Sequence, residues 1–344
     1  MTDPDRRAVG NDDRRAVAAW LFLCAALVFV MIVVGGITRL TESGLSIVEW
    51  QPLVGALPPL SQADWELLFQ KYRATPQFVR VFPDMDVEGF KSIFWWEYIH
   101  RLLGRVIGLV FLLPFLWFLL RRRLERPLAW KLAGLFVLGG LQGAMGWYMV
   151  KSGLVDDPRV SHFRLTAHLG LALLIFAAEL WIAIGLLQRE AGKPRGFALL
   201  VLGLVFLMAL SGGFVAGLRA GHAYSTFPLM NGHLIPPEAF MLEPWWRNFL
   251  WNPAAIQLTH RGFFWLLLAL VPLLWWTLRG TRASLAANHL LGMFFLQAGL
   301  GIATVMLKVP VPVAASHQAG AVLLLACALW TARASRESSS AGDT

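Results

Sequence analysis

The sequence predicts an all-α integral membrane protein with eight transmembrane helices, arranged as two four-helix bundles related by a pseudo-twofold axis. Three observations support this prediction: the composition, eight long apolar stretches, and a set of landmarks that recurs in the second half. Of 344 residues, 57% are hydrophobic and 15% charged, whereas soluble domains carry about 25% charged residues. With a mean hydropathy of +0.58, this composition excludes an ordinary water-soluble enzyme.

Eight stretches are long enough to cross a bilayer, which takes about 20 mostly apolar residues. They are residues 17–37, 94–120, 130–150, 163–187, 197–217, 254–278, 283–306 and 313–332. Three short connections, residues 121–131, 189–195 and 279–282, and both tails are rich in Lys and Arg. The positive-inside rule therefore places these segments and both termini in the cytoplasm. The net charge of +9 is therefore a topology signal, and no nucleic-acid partner is expected. The acidic tail before the first stretch, which has no cleavage pattern, favours a retained helix in a bacterial plasma (inner) membrane.

The two long connections, residues 38–93 and 218–253, are predicted to lie on the outer side. In the first, Ser61 is placed to cap a helix, and Trp65, Phe69 and Tyr72 follow helical spacing along one apolar face. We expect this helix to lie in the interface or over the bundle, either as a packed connection or as a functional lid.

Landmarks of the first half recur in the same order in the second half, which predicts a duplicated four-helix unit. The proposed units are residues 1–195 and 196–344, and an even number of spans in each makes the repeat parallel. The matched landmarks are Gly35-Gly36 with Gly212-Gly213, His100 with His260, Gln142 and Gly146 with Gln297 and Gly301, and His168 with His317.

Four of the eight histidines lie at these corresponding positions, close to the outer ends of their helices. Each unit then presents two imidazoles at similar depth, the arrangement that holds a planar cofactor such as haem between two axial nitrogens. Gly104 and Gly108, and Gly320 with Ala321, are expected to leave room for the ring on the helix faces of His100 and His317. A single histidine of this kind is more often a packing residue, but two corresponding pairs favour ligation.

The two units differ at one position beside the first histidine. Glu97 lies three residues before His100, whereas Gln257 lies three residues before His260. A carboxylate can accept protons near an iron centre, so we expect the first unit to be reactive and the second to transfer electrons. The alternative is a plain Glu97–Arg101 ion pair along the helix. Five arginines at this level are candidate partners of haem propionates or else extend to the interface: Arg101, Arg105, Arg164, Arg219 and Arg261.

These residues resemble the haem A synthase family over nearly all of residues 17–332. The resemblance is carried by Gly35-Gly36-Ile37-Thr38-Arg39-Leu40-Thr41-Glu42-Ser43-Gly44, by Glu97-Tyr98-Ile99-His100-Arg101-Leu102-Leu103-Gly104-Arg105, by Gly217 to Gly232, and by the contexts Thr259-His260-Arg261 and Ser316-His317-Gln318. Some members have a cysteine pair in the first outer connection. Residues 38–93 contain no cysteine, so the chain is similar to the branch without the pair.

The resemblance implies a haem-dependent membrane oxidoreductase that oxidises a ring methyl of haem O to the formyl group of haem A by successive hydroxylations. By position, His100 and His168 would flank the substrate haem and Glu97 would be the catalytic carboxylate. His260 and His317 would ligate haem b in the C-terminal unit, with both sites near the outer side. Haem O synthase is the implied donor of the substrate, and assembly factors of the terminal oxidase are implied partners. The membrane electron acceptor stays open, as does a homo-oligomer.

Three other functions remain open from the residues. A di-haem b-type cytochrome would transfer electrons without modifying haem, and a haem chaperone would bind the same ligand without turnover. A proton-coupled transporter would use His and Glu as relays, but the parallel repeat and the lack of broken midplane helices count against it.

Overall fold

The computed structural model describes residues 10–50, 54–154, 158, 160–188 and 193–337. The described α-helices are, in chain order, α1 (Asn11–Leu40), α2 (Gln62–Arg73), α3 (Pro76–Val81), α4 (Val87–Leu120), α5 (Arg126–Gly153), α6 (His162–Leu187), α7 (Gly196–Gly217), α8 (Ala220–Ala223), α9 (Asn248–Trp251), α10 (Pro253–Leu278), α11 (Ser284–Met306) and α12 (Val311–Ala334). Two strands of two residues, β1 (Lys193–Pro194) and β2 (Arg336–Glu337), pair antiparallel.

Eight of these helices are long and apolar enough to span a membrane, as predicted: α1, α4, α5, α6, α7, α10, α11 and α12. Three of them, α1, α4 and α5, begin well before the predicted apolar stretch. Helix α4 begins at Val87 rather than near residue 94, because the side chain of Asp86 accepts a hydrogen bond from the backbone of Gly89 and caps the helix. Capping by a polar residue thus sets the end of the helix, whereas hydropathy sets only its middle.

The spanning helices form two sets of four, and within each set the helices contact one another in a ring. In the first set α1 packs on α4 and α6, and α5 packs on the same two helices; in the second, α7 and α11 each pack on α10 and α12. The two sets also contact each other. Helix α6 packs on α12, α1 packs on α12, and α6 packs on α7. The largest apolar cluster draws on both sets, with Leu173 of α6, Val201 of α7 and Leu325 of α12 in one core. Because the core is shared, the division into two bundles at residue 195 stays a prediction.

Glycines allow the helices of the two sets to approach closely. A Cβ atom on Gly36 of α1 would lie 2.1 Å from Oε1 of Gln318 on α12, whose Nε2 donates to the carbonyl of Ile32 at 2.7 Å. At the corresponding place, a Cβ atom on Gly213 of α7 would lie 3.0 Å from Oγ1 of Thr166 on α6. The second glycine of each Gly-Gly pair therefore serves helix packing between the sets.

The ends of α1 and α7 are joined by two contacts between residues 177 positions apart. Arg39 donates to the carbonyl of Ala216, and Arg219 forms an ion pair with Glu42. Glu42 and Arg219 both have left-handed backbone, with φ of 56° and 53°. Residues at corresponding positions of the predicted repeat thus contact each other. This is the arrangement expected if the pseudo-twofold axis of the repeat passes between these two helix ends.

The first outer segment, which is the described part of residues 38–93, contains α2, the helix predicted from Ser61 and the apolar spacing. Helix α2 is capped by a reciprocal pair of hydrogen bonds between Ser61 and Asp64. Trp65, Phe69 and Tyr72 are buried against the aromatic side chains of α4, including Phe90. The segment therefore packs on the N-terminal end of α4.

Candidate functional site

In the first half, His100 on α4 and His168 on α6 each face a glycine of a neighbouring helix. A Cβ atom on Gly35 of α1 would lie 3.0 Å from Nε2 of His100, and one on Gly146 of α5 would lie 3.2 Å from Cε1 of His168. Gln142 on α5 donates to the backbone carbonyl of His168 at 3.1 Å, and its amide nitrogen lies 3.3 Å from Nε2 of that ring. Both imidazoles are thus held where a larger neighbour would displace them.

The second half repeats these contacts. A Cβ atom on Gly212 of α7 would lie 3.4 Å from Cε1 of His260 on α10, and one on Gly301 of α11 would lie 2.8 Å from Cε1 of His317 on α12. Gln297 donates to the backbone carbonyl of His317 at 2.9 Å. The sequence comparison of the halves used Gln142 and Gln297 only as landmarks. Their positions in the repeat were the available signal that they support the histidines.

The donor atoms in these positions suit a cofactor with two axial nitrogen ligands. Nδ1 of His168 and Nδ1 of His317 are buried and have no hydrogen-bond partner among the described residues, and a buried polar atom normally has one. The Oγ atom of Ser211 lies 2.7 Å from Nδ1 of His260, which orients that ring and leaves Nε2 for a ligand. Within the described part of the chain, no three His, Cys, Asp or Glu residues come together as a site for a bare metal ion. The unpartnered imidazole nitrogens of His168 and His317 therefore fit the role of axial ligand to a planar ring.

The glycines predicted to leave room for the ring differ in their surroundings. Gly108 on α4 has no atom within 4 Å of an added Cβ, and Gly104 has only the Met31 methyl at 3.4 Å, so this face of α4 is open. On α12 the expectation is wrong for Gly320, because a Cβ there would lie 2.2 Å from Oε1 of Gln297. The missing side chain of Gly320 makes room for Gln297, which in turn holds His317.

Glu97 is 2% exposed, and both of its oxygens accept hydrogen bonds from neighbouring groups. Oε2 accepts from the Ser46 hydroxyl at 2.7 Å and from the backbone of Ile47 at 2.8 Å. Oε1 accepts from Nε and Nη2 of Arg101 at 3.0 and 2.5 Å. The ion pair considered from the sequence is therefore present, and the carboxylate also ties α4 to the outer segment. Its catalytic role stays a prediction.

In the second half, an amide takes the place of the carboxylate. Gln257 donates to the carbonyl of Tyr224 at 3.1 Å. Arg261 donates to backbone carbonyls of the second outer segment, among them Thr226 at 2.7 Å and Pro228 at 3.1 Å. Each half thus uses the residue three positions before its histidine and the arginine directly after it to hold an outer segment in place.

Four of the arginines predicted to bind propionates, Arg101, Arg164, Arg219 and Arg261, donate hydrogen bonds to protein groups. Arg101 donates to the carbonyl of Ile47 at 2.8 Å as well as to Glu97, Arg219 pairs with Glu42, and Arg164 donates to the Ser152 hydroxyl. Arg105 lies one turn beyond Arg101 on α4. A role of any of them in binding propionate stays a prediction.

Three groups outside the predicted pairs are also placed by the structure. Nε2 of His162 lies 2.7 Å from the carbonyl of Leu250, and Nδ1 of His289 lies 2.8 Å from the carbonyl of Leu285 in its own helix. Glu179 on α6 is 2% exposed, and its Oε2 atom has no hydrogen-bond partner among the described residues. Neither histidine belongs to the two pairs.

The chain is similar to known proteins over most of its length. A family model described as COX15-CtaA cytochrome oxidase assembly protein matches residues 18–329. A protein of Nitrosospira multiformis named "Heme A synthase" is 59% identical over 329 residues, which cover 92% of each chain. Proteins of the same name from Nitrosomonas eutropha and Parvibaculum lavamentivorans are 54% and 49% identical, each covering 92% of this chain and 93% and 94% of their own lengths.

Proposed function

The chain belongs to the haem A synthase family of cytochrome oxidase assembly proteins, and from this premise we propose that it converts haem O to haem A. The observation that carries the proposal is 59% identity over 92% of the chain to a protein of that name. We further propose that a ring methyl is oxidised to a formyl group by successive hydroxylations. A di-haem cytochrome that leaves haem unmodified is not favoured by these relatives.

We propose that the two histidine pairs hold two different haems. His100 and His168 would bind the substrate haem O, and His260 and His317 would hold haem b. The support is the matched set of glycine and glutamine contacts around both pairs. When bound, haem would supply the oxidising chemistry, and the protein would orient one methyl group and exclude competing reactions.

Glu97 is proposed as the group that makes the first site reactive. It lies three residues from His100, and its carboxylate is fixed by Ser46, Ile47 and Arg101. A fixed carboxylate can take up a proton released as the substrate is oxidised, whereas the amide of Gln257 at the second site cannot. This difference assigns oxidation to the first site and electron transfer to the second.

The location and partners are proposed on the same basis. The protein spans the membrane several times, and the basic connections favour a bacterial inner membrane with both termini in the cytoplasm. His168 and His317 are each the seventh residue of their helices, which would place the haem sites near the outer side. Haem O synthase is the proposed donor of substrate, and oxidase assembly factors and a second copy of the chain are proposed partners.

Turnover of haem O is the direct test of this function. The full chain would be produced in a host that makes haem O but not haem A, and the haems extracted from its membranes would be separated by chromatography. We expect haem A or its hydroxylated precursor, together with haem b in the purified protein. Haem b without either oxidised product, while haem O is present in the same membranes, would contradict the proposal.

Replacing Gly301 with alanine is expected to weaken haem b binding. The added Cβ would lie 2.8 Å from Cε1 of His317, so the ring must move away from its ligating position. Displacing a ligand in this way is expected to lower haem b affinity by about tenfold or more. The measurement is haem b per chain from absorbance of the purified protein.

The matched control is Gly299→Ala on the same helix, where an added Cβ meets no atom within 4 Å. This variant should keep the haem b content of the parent protein. Equal haem b content in both variants would show that the Gly301 contact does not position His317.

A further inference from the structure

A basic cavity lies between the ends of α1, α5, α6 and α12, at the opposite end of the molecule from the outer segments. Its volume is about 250 Å³, and since a water molecule occupies about 30 Å³ in the liquid, it has room for a phosphate group with part of a glycerol. Four cationic side chains line it: Arg14, Arg123, Lys131 and Arg333. The lining also contains one carboxylate, that of Glu125. The cavity belongs to neither histidine site.

Arg333 is the best indication that the cavity binds a ligand. The residue is 8% exposed, and its guanidinium lies 4.0 Å from the centre of the Trp181 ring while Nη2 donates to the Trp181 carbonyl. Nε of Arg333 and Nε of Arg14 are buried and have no partner among the described residues. Burying unpaired donors of a charged group is costly, and an anion in the cavity would satisfy both.

The neighbouring helix is shaped to accept Arg333. A Cβ atom on Gly185 of α6 would lie 2.5 Å from Nη2 of Arg333, so a larger residue there would displace the guanidinium from this position. An arginine at the end of a membrane helix usually extends toward water. The Arg333 side chain instead points into the protein and packs against Trp181 and Gly185 of α6. Its charge therefore lies inside the cavity.

The remaining cations add charge without closing the cavity. Arg123 is paired with Asp13 at 3.3 Å and keeps 42% of its side chain exposed, and Lys131 is exposed. Val17, Leu128 and Leu186 complete the lining with apolar surface. Trp130, next to Lys131, is 78% exposed, as expected for an aromatic residue at the boundary of the bilayer. The lining therefore matches an amphiphile with an anionic head and an apolar stem.

We propose that this cavity binds the phosphodiester headgroup of an anionic phospholipid, such as phosphatidylglycerol, at the end of the protein predicted to face the cytoplasm. Arginine donates paired hydrogen bonds to phosphate oxygens, and basic pockets between membrane helices on the cytoplasmic side are typical sites for anionic lipids. The bound lipid would tie together the ends of α1, α6 and α12.

The test measures thermal unfolding of the purified full-length protein in detergent while lipid is added. The probes are phosphatidylglycerol, phosphatidylcholine and inorganic phosphate. We expect phosphatidylglycerol to raise the unfolding midpoint saturably, and the other two to have little effect. An equal rise with phosphatidylcholine would overturn the proposal, and so would a rise with inorganic phosphate that removes the response to lipid, because the ligand would then be a free anion.

The variants locate the site. Arg14→Gln combined with Lys131→Gln removes two lining charges without breaking a side-chain hydrogen bond seen in the described structure, and should raise the half-saturating phosphatidylglycerol concentration by about tenfold. Gly185→Ala keeps all charges but displaces Arg333, and should also weaken the response. The matched control is Arg279→Gln, since Arg279 stacks on Trp275 and Trp276 outside the cavity. Equal lipid responses in the double variant and the control would overturn the proposal.

Discussion

Replacing His260 or His317 with alanine is expected to abolish haem b binding, with a loss of affinity well above 100-fold. Substitution of a group that merely supports a metal ligand costs about 10-fold to 100-fold in affinity, and removal of the ligand itself should cost more. Each variant leaves the other imidazole in place but takes away one of the two axial nitrogens. The measurement is haem b per chain in the purified protein, from absorbance and from chromatography of the extracted haem.

The matched control for this pair is His289→Ala. His289 lies on α11 and interacts with the carbonyl of Leu285 in its own helix, so its loss should leave haem b content unchanged. Production of the chain in detergent extracts must be compared for all three variants, since haem content is meaningful only per folded chain. Full haem b content in His260→Ala would show that this histidine is not a ligand.

Replacing Glu97 with glutamine is expected to stop or greatly slow haem O oxidation while haem b remains bound. Proton transfer by a positioned carboxylate contributes about 10²-fold to 10⁴-fold to a rate, and an amide cannot take up the proton. The second half shows that glutamine is compatible with this fold, because Gln257 at the corresponding position donates to the carbonyl of Tyr224. The measurement is the ratio of haem A plus its hydroxylated precursor to haem O in membranes.

The hydrogen bonds of Glu97 make a purely structural role the competing explanation. If the carboxylate only anchors residues 46 and 47 to α4, Glu97→Gln should lower the unfolding midpoint yet still yield haem A. Glu49→Gln is the matched control, because Glu49 pairs with Lys71 on the same outer segment and both side chains are substantially exposed. Normal haem A formation by Glu97→Gln would remove the catalytic role from that carboxylate.

The sequence was sufficient to predict features that depend on neighbouring residues. Hydropathy over about 20 residues located all eight spanning helices, and helical spacing with a capping serine located α2. The four histidines and the difference between Glu97 and Gln257 were visible because corresponding residues keep their order along the chain. The family membership was likewise available from motifs, and the comparisons confirm it.

Contacts between distant residues were decided only by the tertiary structure. The ion pair of Glu42 with Arg219 joins residues 177 positions apart, and a sequence pattern does not specify which arginine meets which carboxylate. The same holds for Gly320, which faces Gln297 instead of open space, and for Arg333, whose inward turn depends on Gly185 of another helix. Hydropathy and helical period are local properties, whereas these partners are chosen by how helices from remote parts of the chain pack and rotate against one another.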